Sequence, residues 1–181
     1  TIVSCKIDSI KDYAILTVDK NTWMCNDILI QNSTISKAKM FLTSRNNSNS
    51  IIIDGCTINE APENGRQMFR WRESGQDDVI NGISITNTIW GHGWNMSGDV
   101  DYLVDGFDGM PNTNWNILNT YTTGDFGYAE GKDEIPGFPS VTYPGMATDL
   151  WVDPYNFDFN FKDIGFAGKG DSGDPTWRIG L

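Results

Sequence analysis

Two arginines separated by one residue stand in the segment Phe69-Arg70-Trp71-Arg72-Glu73. Side chains alternate between the faces of a strand. If Phe69 and Trp71 face a core, Arg70 and Arg72 therefore project together from the other face, about 7 Å apart. Two guanidinium groups on one face can grip carboxylates or sulfates through paired N–H donors. The plainer reading stands beside it: a solvated pair neutralised by Glu73 and Asp77.

Other candidates are weaker. Trp90-Gly91-His92-Gly93-Trp94 is a glycine-flexed aromatic loop in which Trp94, and Tyr102 beyond it, could stack on a sugar ring. His92 has no serine or cysteine partner in a nucleophile motif, so its default role is structural. Asp77-Asp78 and the group Asp99, Asp101, Asp105 and Asp108 offer oxygens to Ca²⁺, but no EF-hand spacing is present, and a solvated acidic loop is the simpler account. No other cofactor is indicated. Cys5, Cys25 and Cys56 are an odd number with no CxxC, which gives neither a zinc motif nor a disulfide framework.

Composition narrows the partners. The 181 residues carry 13 Lys+Arg against 24 Asp+Glu, a formal net charge of −11. A general nucleic-acid binder needs a basic footprint, which this chain lacks. A polyanionic glycan would be repelled at long range unless a local basic patch or a cation received it, whereas a neutral glycan meets no such penalty. No apolar stretch approaches the ~18 residues of a membrane span.

The elements that would position these residues emerge from self-similarity. Five segments align on Ser4, Asn32, Gly55, Asn87 and Asn119. Two residues earlier each has isoleucine: Ile2, Ile30, Ile53, Ile85 and Ile117. Four residues earlier stand Ile28, Ile51, Ile83 and Trp115, and one residue later stand Cys5, Ser33, Cys56, Thr88 and Thr120. Positions −4 and −2 share one strand face, while +1 and +3 have the opposite parity. Both sets are apolar or small, so the chain must turn at the aligned position to keep both inward. Asn and Gly tolerate the left-handed conformation that such a turn needs, and stacked Asn side chains can form a ladder.

Repeats of 23 to 32 residues suit a solenoid of stacked coils. The expected fold is all-β: a right-handed parallel β-helix of about five coils over residues 1–123. Residues 124–181 form an irregular excursion and C-terminal cap of the same domain. Further strands are expected over 13–18, 39–44 and 67–72. Cys5 and Cys56 fall two coils apart, roughly 9–10 Å, beyond disulfide reach. Thr1 opens within a strand, so further N-terminal coils or another domain are expected to precede it.

The tail contains Asp149-Leu150-Trp151-Val152-Asp153-Pro154, then Asp158-Phe159, then Phe166-Ala167-Gly168-Lys169-Gly170-Asp171 and Gly173-Asp174-Pro175-Thr176-Trp177. It resembles the closing segment of Bacteroidetes pectate-lyase-like β-helix proteins of unknown function, over about 35 residues of this chain. The resemblance implies a secreted or outer-surface protein, often lipid-anchored through its N-terminus, and supplies no catalytic residues. Physically, Trp151, Phe157, Phe159, Phe161, Phe166 and Trp177 are expected to plug an open solenoid end.

Two functional readings follow. One is a non-catalytic module that binds polysaccharide or oligosaccharide through Arg70, Arg72, Trp94 and Tyr102. The other is a polysaccharide lyase. In lyases of the resembled fold, a basic residue on an outer strand abstracts the proton α to a uronate carboxylate, and Arg70 or Arg72 would take that part in β-elimination.

Overall fold

The computed structural model describes residues 1–73, 77–98 and 102–180. The protein is mostly β, with 43% strand and 8% helix. In the first passes of the chain a short strand is followed by a longer one: β1 (Ile2–Val3) by β2 (Lys6–Leu16), then β3 (Asp27–Gln31) by β4 (Thr34–Ser44). Next come β5 (Ser50–Asp54), β6 (Thr57–Asn59) and β7 (Gln67–Trp71), followed by β8 (Ile83–Thr86), β9 (Ile89–Trp90) and β10 (Asp105–Asp108). Strands β11 (Trp115–Leu118), β12 (Tyr121–Thr122) and β13 (Val141–Thr142) lead to the helical turn α1 (Ala147–Leu150) and a terminal pair, β14 (Trp151–Asp153) and β15 (Asp158–Phe161).

Strands β1, β3, β5, β8 and β11 form one five-stranded sheet, parallel throughout. A second parallel sheet branches at β4. Its first residues pair with β6, which continues through β9 and β12 to β13. Its last residues pair with β7 and then β10, and β2 flanks β4 on the other side. Successive passes therefore stack in register.

The isoleucine columns read from the sequence are those register columns. Ile2, Ile30, Ile53, Ile85 and Ile117 are partners in turn, as are Ile28, Ile51, Ile83 and Trp115. The +1 and +3 residues Ser33, Ile35, Cys56, Ile58, Thr88, Trp90, Thr120 and Thr122 are buried as well. Opposite parity on the same core requires the turn between them. All five aligned residues supply it with left-handed φ: 53° at Ser4, 50° at Asn32, 61° at Gly55, 49° at Asn87 and 51° at Asn119.

The small +1 residue has its own task at this turn. Ser33 Oγ donates to the Gln31 carbonyl at 2.8 Å and accepts Cys5 N–H of the preceding pass at 3.1 Å. Thr88 does the same for the Thr86 carbonyl and Cys56 N–H, at 2.8 and 3.3 Å. A short hydroxyl or thiol is needed to close this turn, which accounts for the Cys, Ser and Thr in that column. The three cysteines are free.

A second left-handed turn, unforeseen in the sequence, lies at Ser9 (60°), Lys37 (54°) and Glu60 (51°). Register pairs the residues just before them, Asp8 with Ser36 and Ser36 with Asn59. Strands β2 and β4 run through this turn for eleven residues each, where the sequence placed separate strands at 13–18 and 39–44.

The tail corrects another expectation. Its aromatics do not plug an end. Trp151, Phe159, Phe161 and Phe166 form a separate apolar cluster with Ile89, an outward residue of β9. From there the chain runs back along the outer face. Gly173 N–H donates to the Asn87 carbonyl, Asp174 N–H to Thr57 Oγ1 at 2.9 Å, and Thr34 Oγ1 to Asp174 Oδ2 at 2.7 Å. Trp177 Nε1 donates to Thr34 Oγ1 at 2.8 Å, and its ring lies 4.6 Å from Lys6 Nζ. The tail is a strap across strands β2 to β12. Thr34, Thr57, Ile89 and Tyr121 are partners in one outward column, and the strap covers their otherwise exposed polar and apolar groups.

Candidate functional site

Arg70 and Arg72 stand at the C-terminal end of β7. Phe69 and Trp71 alternate with them and are buried in the core, so both arginines point outward as their spacing predicts. Their partners differ from those expected. Register places Thr43, Arg70 and Asp108 side by side, and Arg70 Nε donates to Asp108 Oδ2 at 3.2 Å. Arg72, one residue past the strand, reaches Tyr13 OH at 3.3 Å. Glu73 instead pairs with Arg45 at 3.4 Å.

Arg70, Trp71, Arg72, Asp77, Asp108 and Gly109 enclose an open groove of about 370 Å³. Gly109 has φ +81°, and a Cβ there would come within 2.4 Å of the Trp71 carbonyl oxygen. The groove wall therefore requires glycine. The lining is rich in both donors and acceptors. The Arg70 guanidinium donates hydrogen bonds beside the Asp108 carboxylate, which accepts them.

The other sequence candidates lie elsewhere. Trp94 forms a parallel bridge with Glu63 and is half-buried, as is Tyr102. Neither lines the groove. Asp105 faces Gln67 and Lys132, and Asp108 faces Arg70. Asp78 caps Asn112 through its N–H and side-chain amide. Asp99 and Asp101 lie outside the described residues. Among the described residues, no three His, Cys, Asp or Glu side chains converge as a metal site.

A second constellation was missed in the sequence. Lys37 and Glu60 form the second left-handed turn, and His92 lies on the next pass, two residues beyond Trp90, the partner of Ile58. Glu60 is 7% exposed, and its Oε2 lies 4.0 Å from Lys37 Nζ. Oε2 accepts no hydrogen bond among the described residues. Burial raises the Glu60 carboxyl to about 7, with Lys37 opposing the shift and Asp8 adding to it.

His92 is fully buried. Its Nδ1 lies 2.7 Å from the Gly93 carbonyl, which can only accept, so Nδ1 carries the proton. Nε2 lies 3.3 Å from Tyr155 OH, with Asp125 Oδ2 at 3.9 Å. The Tyr102 and Tyr155 rings flank the imidazole at 4.3 and 5.8 Å between centroids. Burial first, then Tyr102, Asp125 and Glu60, push the Tyr155 phenol up to about 12. Lysine, glutamate and histidine in three unlike sequence contexts carry no shared motif. Only the register of the second turn brings them together.

No family model matches this chain, and no curated protein or solved structure matches it either.

Proposed function

We propose that the chain winds as a right-handed parallel β-helix and acts outside the cell as a non-catalytic glycan-binding module. Its site is the groove at Arg70, Arg72, Asp77 and Asp108. Stacked parallel strands alternating between two sheets, with left-handed turns in register, support the helical winding.

The observation that carries the binding reading is the Arg70–Asp108 pair on an open, polar groove wall. Sugar hydroxyls both donate and accept, and a guanidinium edge beside a carboxylate meets both needs. The same pair disfavours β-elimination. A uronate carboxylate would meet Asp77 and Asp108 within the groove and a net charge of −11 beyond it. A charged Arg70 is also not a proton acceptor. A glycan array, run beside absorbance at the unsaturated-uronate band, tests the reading. Binding of neutral glycans without new absorbance, lost in Arg70→Ala, is the expected result. Turnover of a uronate polymer that disappears in Arg70→Ala would replace this reading with a lyase.

A further inference from the structure

The tail hairpin crosses the second left-handed turn through the short turn Pro154–Asn156, which joins β14 to β15. Two hydrogen bonds tie this turn to the column beneath. Lys37 Nζ donates to the Tyr155 carbonyl, and Tyr155 OH shares a hydrogen bond with His92 Nε2. The lysine is shared, because the same Nζ lies 4.0 Å from Glu60 Oε2. That oxygen accepts no hydrogen bond among the described residues. Ser36 Oγ and both amide atoms of its register partner Asn59 are also buried with no hydrogen bond among the described residues. The turn thus closes over poorly satisfied polar groups.

We propose that the turn Pro154–Asn156 is a flap latched by Lys37, and that ionisation of Glu60 releases it by drawing the Lys37 ammonium from the Tyr155 carbonyl. When Glu60 is neutral it competes weakly for Lys37, which holds the backbone of the flap. When Glu60 is ionised its Oε2 has no hydrogen-bond donor among the described residues, so closing the gap to Lys37 satisfies both charges at the expense of the latch. Opening uncovers His92 and Asp125, which the flap otherwise shields.

The groups facing Glu60 are Lys37 on β4, Asp8 on β2 and Tyr155 on the flap; His92, Asp125 and Tyr102 surround the phenol of Tyr155. The direction follows by linkage. In the closed form Glu60 titrates near 7, and in an open, hydrated form it returns toward 4.5. Between these values the closed form binds the extra proton, so the open fraction grows as pH rises and levels off above about 7.

Hydrogen exchange of the full chain, read on peptides covering 151–161 and corrected for intrinsic rates, tests this. Wild type is expected to exchange there about tenfold faster near pH 8.5 than near pH 5.5. Glu60→Gln, which keeps size and cannot ionise, should remain protected at both. Lys37→Met should exchange fast at both. Equal wild-type exchange at the two pH values overturns the proposal. So does a pH step that persists in Glu60→Gln, which would assign the switch to another group such as His92. If Glu60→Gln fails to fold by circular dichroism, Lys37→Met decides: a retained pH step refutes the latch.

Discussion

The side-chain amide of Asn119 donates to Asn87 Oδ1 at 2.9 Å, and Asn87 Nδ2 donates to Asp54 Oδ1 at the same distance. Gln31 Nε2 and Thr86 Oγ1 also donate to Asp54. One polar ladder thus crosses four passes of the chain beside the left-handed turns. Two of its members, Asn87 and Asn119, also have φ near 50°, which strains any side chain that cannot bond locally. Asn87→Ala is expected to lose about 2–3 kcal/mol of unfolding free energy, and Asn87→Gly about half that, because glycine relieves the backbone strain but not the lost bonds. Urea denaturation of both variants checks the order. Equal losses would mean that backbone conformation at Asn87 is unimportant.

Gly55 breaks the run of asparagines at the left-handed turns, and its reason is space. A Cβ there would stand 2.7 Å from Asn32 Oδ1 and 3.0 Å from Arg178 Nη2. Arg178 in turn donates to the Gly173 carbonyl at 2.8 Å, so the strap is seated through this gap. Gly55→Ala is expected to destabilise by about 2 kcal/mol or more and to expose the residues after 170 to protease. Limited proteolysis reads the second effect, and an intact strap in that variant would contradict it.

Thr34 is the strap's other anchor. Its hydroxyl donates to Asp174 and accepts from Trp177 Nε1, a contact 143 residues apart in the chain. Thr34→Val keeps the shape and strands both partners, which should cost about 2 kcal/mol. Thermal denaturation of Thr34→Val against Thr34→Ser separates the hydroxyl from the methyl. Thr34→Ser is expected to recover most of the loss.

Two carboxyls set opposite slopes in the pH dependence of stability. Burial raises Asp54, but hydrogen bonds from Gln31, Thr86 and Asn87 and the charge of Arg178 outweigh it, leaving the group below its ordinary value of 3.8. Its contribution is present above that value and is lost as pH falls through the folded value. Glu60 is raised to about 7 from 4.5. Its preference for the neutral form is fully felt below 4.5 and vanishes as pH rises through 7. Self-repulsion of the net charge adds to that second slope. Unfolding free energy should therefore peak on the mildly acidic side. Denaturation across pH should show the acid limb flattened in Asp54→Asn and the upper limb flattened in Glu60→Gln.

What the sequence made legible was local and periodic. Isoleucine at −2, isoleucine or tryptophan at −4 and an Asn or Gly turn are visible because alternation has period 2 and few residues tolerate positive φ. The second turn was invisible, since Ser9, Lys37 and Glu60 share no chemistry that marks a left-handed position. The outward direction of Arg70 was legible from its neighbours, but its partner was sought at Glu73 and Asp77. Register supplies Asp108 instead, 38 residues away. The course of the strap rests on contacts such as Asp174 to Thr57, 117 residues apart, which no local pattern encodes.

The groove at Arg70 has a rival on the five-stranded sheet, a shallow site of about 320 Å³ lined by Ile52, Asn81, Ser84, Trp115 and Asn116. Backbone amide shifts recorded during titration with a neutral oligosaccharide chosen from the array decide between them. Binding at the proposed site moves the resonances of Arg70, Trp71, Arg72, Asp77, Asp108 and Gly109, and Asp108→Ala abolishes the effect. Shifts confined to residues 81–84 and 114–116, or unchanged in Asp108→Ala, would contradict the account.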